Sequence, residues 1–309
     1  MRGDDTGIHL PDGALRHGDD PVLLTAGRAG WRYAGLRVLA LEPGIPRTLD
    51  TGDHEVFVLP LAGGCEVATE TERFHLRGRT SVFSRVTDFA YLGRGRSARL
   101  SSVASALIAV PMAPARRSLP ARYVPADAVP VEVRGAGNAT RQVTNFGAPG
   151  VFDGADRLMA CELITPAGNW SSYPPHKHDT TCPVANEEIY YYRVAVAGGT
   201  APSGSGFGLH RTYDDTLDVT VEVHDGDVCL VPHGYHGPCA AAPGYDLYYL
   251  NVLAGPGEER SMSFCDDPAH TWVREQWDRE SADPRCPVTS ATGRADREGP
   301  LEDPSRLRL

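Results

Sequence analysis

Apolar and polar residues alternate along this chain in short runs. Three examples are 36–41 (Leu-Arg-Val-Leu-Ala-Leu), 55–61 (Glu-Val-Phe-Val-Leu-Pro-Leu) and 99–110. Glycine, proline and aspartate break the runs, and sustained 3.6-residue periodicity is hard to find. After the Pro-, Ala- and Arg-rich stretch 111–130, further runs are predicted as strands at 131–133, 158–165, 188–196, 206–213, 219–223, 227–231 and 246–253. Many short strands with frequent turn signals predict an all-β protein built from barrels or sandwiches. Residues 1–20 are polar and Gly/Asp-rich and are read as a loose arm; 276–309 is read as a polar C-terminal tail.

The pattern contains a weak internal repeat. Glu55-Val56-Phe57-Val58-Leu59 resembles Glu188-Ile189-Tyr190-Tyr191-Tyr192, and 78–83 resembles 226–231. This predicts two copies of one barrel: 1–130, degenerate and metal-free, and 131–275, carrying a metal site.

The chemistry gathers in the second half. If the chain is extended at 176–178, His176 and His178 face the same way, because strand side chains alternate with period two. Glu188 heads the next predicted strand, and His236 follows the turn Pro232-His233-Gly234. Glu187 would face the opposite side from Glu188, so Glu188 is the preferred ligand. Imidazole and carboxylate donors suit a divalent ion such as zinc, manganese, nickel or ferrous iron. Tyr190 and Tyr192 share parity with Glu188 and would line a pocket for a polyhydroxylated ligand. Arg193 and Arg211 could each clamp a carboxylate. Lys177 is the only lysine among 30 Lys and Arg residues. It is a third candidate cation and a catalytic candidate, although period two turns it from the ligand face.

Composition narrows the class. The net charge is −10, with no clustered basic run, so nucleic acid is not an expected partner. No apolar stretch approaches the roughly 18 residues of a membrane span, and the acidic start lacks a secretory h-region. Seven cysteines without a CxxC pair predict reduced, buried thiols in a cytoplasmic protein rather than a disulfide framework. Self-association into a homo-oligomer is compatible with this composition.

The spacing His176-x-His178, Glu188, then Gly226-x5-Pro232-x-Gly234-x-His236 resembles the two-part motif of the cupins. More narrowly, 169–179 (Asn-Trp-Ser-Ser-Tyr-Pro-Pro-His-Lys-His-Asp), Gly234-Tyr235-His236 and 244–252 (Gly-Tyr-Asp-Leu-Tyr-Tyr-Leu-Asn-Val) resemble the 5-deoxy-glucuronate isomerases of myo-inositol catabolism. The similarity runs over about residues 20–275 and includes Gly30-Trp31-Arg32-Tyr33 and Arg141-Gln142-Val143. It implies a bicupin of two jelly-roll barrels and one divalent metal ion per chain, zinc first, with manganese or iron as alternatives. It also implies interconversion of 5-deoxy-D-glucuronate, a small sugar acid, with 5-dehydro-2-deoxy-D-gluconate. The related 4-deoxy-5-keto-uronate isomerases support His176, His178, Glu188 and His236 as ligands. Asn251, within the resembling segment, joins Tyr190, Tyr192, Arg193 and Arg211 as an expected substrate contact. Such a reaction needs a base to carry a proton between adjacent carbons; a metal-bound water, Tyr248 and Glu187 are the candidates. An iron-dependent cupin dioxygenase and a non-catalytic sugar-acid-binding cupin are the alternative readings.

Overall fold

The computed structural model describes residues 7–198, 202 and 204–294. Among these residues, the only α-helix is the short Val273–Trp277, and the rest of the regular structure is almost entirely strand. The first half folds into a nine-stranded sheet closed around the 15-residue strand His54–Ala68. The N-terminal part of that strand pairs with Phe89–Leu92 and Ala106–Pro114, and its C-terminal part with Arg73–Arg79 and Ser97–Ser101. Register shifts between Pro60 and Ala62 and between Gly63 and Cys65 turn the strand from one wall into the other. Gly78 makes that bend feasible: with φ of +66°, a Cβ there would lie 1.8 Å from the Gly63 carbonyl oxygen.

The second half forms two facing sheets. One holds Val131–Arg134, Arg141–Thr144, Met159–Thr165, Tyr245–Ala254, Glu187–Val196 and Val228–Val231 in spatial order. The other holds Asp218–Val223, Gly208–Tyr213, Tyr235–Ala241, His176–Lys177 and Cys265–Asp266, with Trp170–Ser171 also on Tyr235–Ala241.

Strand alternation divides the apolar residues among three cores. Val56, Val58, Val67 and Leu100 fill the first barrel. Tyr190, Tyr192, Tyr249, Cys161 and Val231 fill the second. Phe57, Leu59, Phe89, Phe146, Ile189, Tyr191, Tyr248 and Leu250 lie between the barrels and join them. One face of each inner sheet thus packs its own barrel while the other face packs the neighbouring one, so both faces are apolar. That is why 189–192 reads as a continuous Ile-Tyr-Tyr-Tyr run rather than as a strict alternation.

Three sequence expectations are corrected here. The N-terminal arm is not loose from residue 8 onward: His9–Leu10 adds a strand to Val228–Val231 of the second barrel. His9 Nε2 also meets Asp227 at 2.7 Å, and Ile8 and Leu15 are buried. Residues 279–294 are not a loose tail but a strap along both barrels. The strap buries Val288 in the inter-barrel core, and the Thr289 N–H donates to Gln142 at 2.8 Å. The Val86 N–H donates to the Ser290 carbonyl. Residues 295–309 lie outside the described residues. Finally, Cys182 and Cys265 form a disulfide with Cα atoms 6.1 Å apart, against the expectation of reduced thiols throughout; Cys65, Cys161, Cys229 and Cys239 are buried and outside that bond.

Candidate metal centre and its cavity

The short strand His176–Lys177 is held on both sides. His176 pairs with His236 on one neighbour and with Asp266 on the other. Glu188 enters from the facing sheet, one residue into its strand. The turn at 232–234 brings His236 into register, and Gly237 follows with φ of +49°. A Cβ on Gly237 would lie 2.2 Å from Ser172 Cβ, so a larger residue would push the 172–176 segment out of the barrel.

His178, Glu188 and His236 converge, with one donor atom of each within 4.8 Å of the others. All three are buried. His178 Nε2 lies 2.9 Å and His236 Nε2 2.8 Å from the same carboxylate oxygen, Glu188 Oε2. The other ring nitrogens are taken: His178 Nδ1–H donates to the Asn186 carbonyl at 3.1 Å, and His236 Nδ1–H donates to the Gly234 carbonyl at 3.1 Å. A neutral imidazole carries one proton. With that proton on Nδ1, two Nε2 lone pairs face one carboxylate oxygen. This packing is repulsive unless the rings are protonated or a cation lies among the three groups. Carbonyl partners at Nδ1 are the outer contacts that orient metal-binding histidines, and the His236 Nε2 contact lacks hydrogen-bond geometry. The donor set therefore fits a divalent metal.

The electrostatics keep the carboxylate ionised. Burial alone would raise the Glu188 carboxyl pKa, but His236 and His178 outweigh it and hold the group below the usual carboxylate range. His178 is opposed by burial and raised by its bond to Glu188. His176 is pushed well below its ordinary value by burial and by the neighbouring His236.

His176 is not in the compact group. Its ring centroid lies 4.7 Å from that of His236 and 6.3 Å from that of His178, and it packs at a tilt against Phe264 at 4.8 Å. It flanks the three converging residues and lines the cavity above them. That cavity has a volume of about 680 Å³ and opens between the two sheets, with His176, His178, Glu188, Asn251, Ser172 and Arg141 among its walls. The Asn251 Oδ1 is buried there without a hydrogen-bond partner.

Several other expected site residues lie elsewhere, for reasons of strand parity. Glu187 faces the first barrel, where its carboxylate accepts the backbone N–H groups of Arg32, Tyr33 and Ala34 at 2.7–2.8 Å. Tyr248 pairs with Arg193 in register and shares its outward face; its hydroxyl donates to Glu162 at 2.7 Å, beside the buried Arg79–Glu162 ion pair. Neither group can serve as a base in the cavity. Arg193 is tied to Asp225 at 2.8 Å and Arg211 to Asp218 at 3.0 Å, both outside the pocket. Lys177 lies over the Tyr235 ring at 4.8 Å and 3.7 Å from Asp179, on the far side of its strand. Tyr190 and Tyr192 are fully buried beneath the site. The Tyr192 hydroxyl meets His210 Nδ1 at 2.7 Å, and the Tyr190 ring packs 6.2 Å from that of His236.

Sequence reasoning passed over Tyr249 in favour of its neighbour. Tyr249, paired with Tyr192, is the inward-facing residue, and its hydroxyl bonds Ser171 and Ser172 at 2.8 Å. It also missed the arginines of the cavity wall, Arg134, Arg141, Arg260 and Arg274. For Arg141 a signal existed: it shares parity with the inward-facing Val143.

Fold and site together define an all-β, cupin-like double barrel with a His/His/Glu triad able to hold a divalent metal in the second barrel. The chain belongs to the KduI/IolB family, whose profile matches residues 12–273. It is 38% identical over 273 residues to a 5-deoxy-glucuronate isomerase of Geobacillus kaustophilus, covering 86% of this chain and 95% of that one. The corresponding protein of Geobacillus thermodenitrificans is 40% identical over 264 residues, covering 82% and 91%. Among solved structures, an IolB-like protein from Salmonella typhimurium superposes with a TM-score of 0.77 at 31% identity, covering 86% of this chain and 99% of that one. The oxalate decarboxylase of Lactobacillus farciminis, with a TM-score of 0.59 at 12% identity and covering 86% and 90%, shares the fold. No helix among the described residues is long and apolar enough to cross a membrane.

Proposed function

We propose that this chain is a cytoplasmic 5-deoxy-glucuronate isomerase, converting 5-deoxy-D-glucuronate to 5-dehydro-2-deoxy-D-gluconate in myo-inositol breakdown. Support for the reaction comes from relatives of that name that match over most of both chains. The observation that carries the metal is the convergence of two Nε2 atoms on Glu188 Oε2 with both Nδ1 positions already spent. In this reading His178, Glu188 and His236 hold the ion and His176 completes the set from its flanking position. Zinc is the favoured ion, since no redox change is required.

When bound, such an ion supplies Lewis acidity toward the carbonyl oxygen as negative charge develops there. The chain supplies the rest. The carbonyls of Asn186 and Gly234 hold the His178 and His236 rings so that Nε2 faces inward. Asn251 Oδ1 accepts a hydrogen bond from a substrate hydroxyl, a contact that repays its burial. Val143, Leu163, Leu253 and Phe264 wall the cavity and lower its dielectric, which strengthens every polar contact within it.

The test is NMR of 5-deoxy-D-glucuronate with purified protein in deuterium oxide, with metal analysis of the same sample. Ketose formation is expected, and deuterium at the migrating position reports how far the proton exchanges with solvent. If metal-replete protein forms no ketose, the proposal fails.

A further inference from the structure

The cavity wall holds four arginines, and three of them are already neutralised. Arg134 meets Glu132 at 2.7 Å, Arg274 meets Asp266 at 2.6 Å, and Arg260 meets Asp153 at 3.6 Å. Arg141 differs. It is only 4% exposed, yet among the described residues no carboxylate lies within ion-pairing reach of it. Its Nη1 donates to the carbonyls of Ala139 at 3.0 Å and Tyr173 at 3.2 Å, and its Nε is buried with no partner. Its guanidinium lies 5.6 Å from the centre of the Trp277 ring, which fixes the plane of the fork. Burial pulls its pKa down to about 10, still far above neutrality, so the group stays charged. A buried cation without a counter-ion is costly and is retained where an anion arrives from outside.

We propose that Arg141 is the counter-ion for the substrate carboxylate, in the cavity whose wall also carries His178 and Glu188. This assignment rests on the sugar-acid reading above. A guanidinium offers a planar pair of donors matched to a carboxylate, and Arg141 lines the cavity. A sugar acid bound this way is oriented end to end, with its carboxylate on Arg141 and its carbonyl end toward the triad. Specificity for uronates over neutral sugars then comes from Arg141 rather than from Arg193 or Arg211, which are paired outside the pocket.

The experiment compares 5-deoxy-D-glucuronate with the neutral analogue carrying a hydroxymethyl group in place of the carboxylate. Arg141→Ala should raise KM for the acid about 10- to 100-fold, the range expected for losing a charged hydrogen-bonding partner, and remove most of its advantage over the neutral analogue. Arg141→Lys should recover part of that advantage, and Arg193→Gln should keep all of it. Calorimetry with D-gluconate, a carboxylate that needs no turnover, should show the same weakening in Arg141→Ala. A crystal of wild-type protein with D-gluconate reads the site without any variant and covers the case in which Arg141→Ala fails to fold. Failure of wild-type protein to turn over the uronate would count against the isomerase reading alone, because gluconate binding still decides the subsite. Undiminished preference for the acid in Arg141→Ala, or gluconate with its carboxylate away from Arg141, overturns the proposal.

Discussion

Glu55 and Glu187 perform the same task in opposite directions. Glu55, in the first barrel, accepts the backbone N–H groups of Asp156, Arg157 and Leu158 at 2.5–2.7 Å, just before a strand of the second barrel. Glu187, in the second, accepts those of Arg32, Tyr33 and Ala34, just before a strand of the first. Each barrel thus clamps the entrance to an inner strand of the other. The pair also sets the register of the internal repeat. Glu55 shares its face with Phe57, and Glu187 shares its face with Ile189, in the same inter-barrel core. Glu55 therefore corresponds to Glu187, one residue earlier than the sequence comparison with Glu188 implied. The counterpart of Glu188, the proposed ligand, is Val56, inside the apolar first barrel.

Both clamps are therefore expected to hold structure rather than perform chemistry. Glu187→Gln should keep turnover within a few-fold of wild type, whereas losing a general base costs about 100- to 10,000-fold. Glu55→Gln, at the fully buried member of the pair, should destabilise the fold by about 2–3 kcal/mol, because an amide replaces a charged acceptor of three N–H groups. Steady-state kinetics of the first variant and urea unfolding of both check this. A large loss of kcat in folded Glu187→Gln would restore it as a base.

The difference between Glu187 and Glu188 marks the limit of what the sequence made legible. Short alternating runs and turn signals were enough for an all-β double architecture, and period two was enough to put Glu187 and Glu188 on opposite faces, because both rest on local geometry. Parity also separates Tyr249 from Tyr248, but only once the strand register is known: with both faces of the strand buried, 245–254 offers no polar alternation to read. The pairing of Arg193 with Asp225 and of Arg211 with Asp218, and the solitary state of Arg141, depend on which acids the fold brings near. So do the docking of His9–Leu10 on the second barrel and the course of 279–294, since both contacts join residues far apart in sequence.

The triad predicts a specific response to metal removal. Glu188→Gln and His236→Ala should each lower metal content, measured by mass spectrometry of dialysed protein. The activity loss should exceed the roughly 10- to 100-fold that an outer contact of a metal ligand costs. Chelation of wild-type protein should lower its melting temperature, because an ion that binds only the folded state at about 1,000 times its Kd contributes about 4 kcal/mol. Unchanged melting and metal content in Glu188→Gln would exclude the triad as the metal site.

His210 sets part of the acid limit of stability. It is fully buried beneath the site, bonded to the Tyr192 hydroxyl and to Thr212 Oγ1 at 2.7 and 2.8 Å. Burial, and then the nearby His236, lowers its pKa to about 3. The unfolded chain therefore takes up a proton here, near the ordinary value of about 6.5, while the folded chain does not. The resulting stability is fully present above about pH 6.5 and is lost as pH falls toward 3, with a limiting slope of about 1.4 kcal/mol per pH unit. Denaturant unfolding of chelated wild type and chelated His210→Gln, from pH 7 to 4, should show a slope shallower by about one proton in the variant. Parallel curves would place the titration elsewhere.

The strap 279–294 is expected to be structural, and cutting it is the test. Gln142 is fully buried, and its side chain both accepts from the Thr289 N–H and donates to Thr289 Oγ1, each at 2.8 Å. Asn169, 2% exposed, has its amide on Asp283 at 3.0 Å, and Arg285 donates to its Oδ1 at 3.1 Å. Ending the chain at Asp278 would orphan these groups at about 1–3 kcal/mol each and expose the Val288 contact, worth about 1.5–3 kcal/mol. The truncated protein should lose about 4–9 kcal/mol in urea unfolding. Ending the chain at Arg294 keeps every one of these contacts and is the reference; equal stability in both truncations would mean that the strap contributes nothing to the fold.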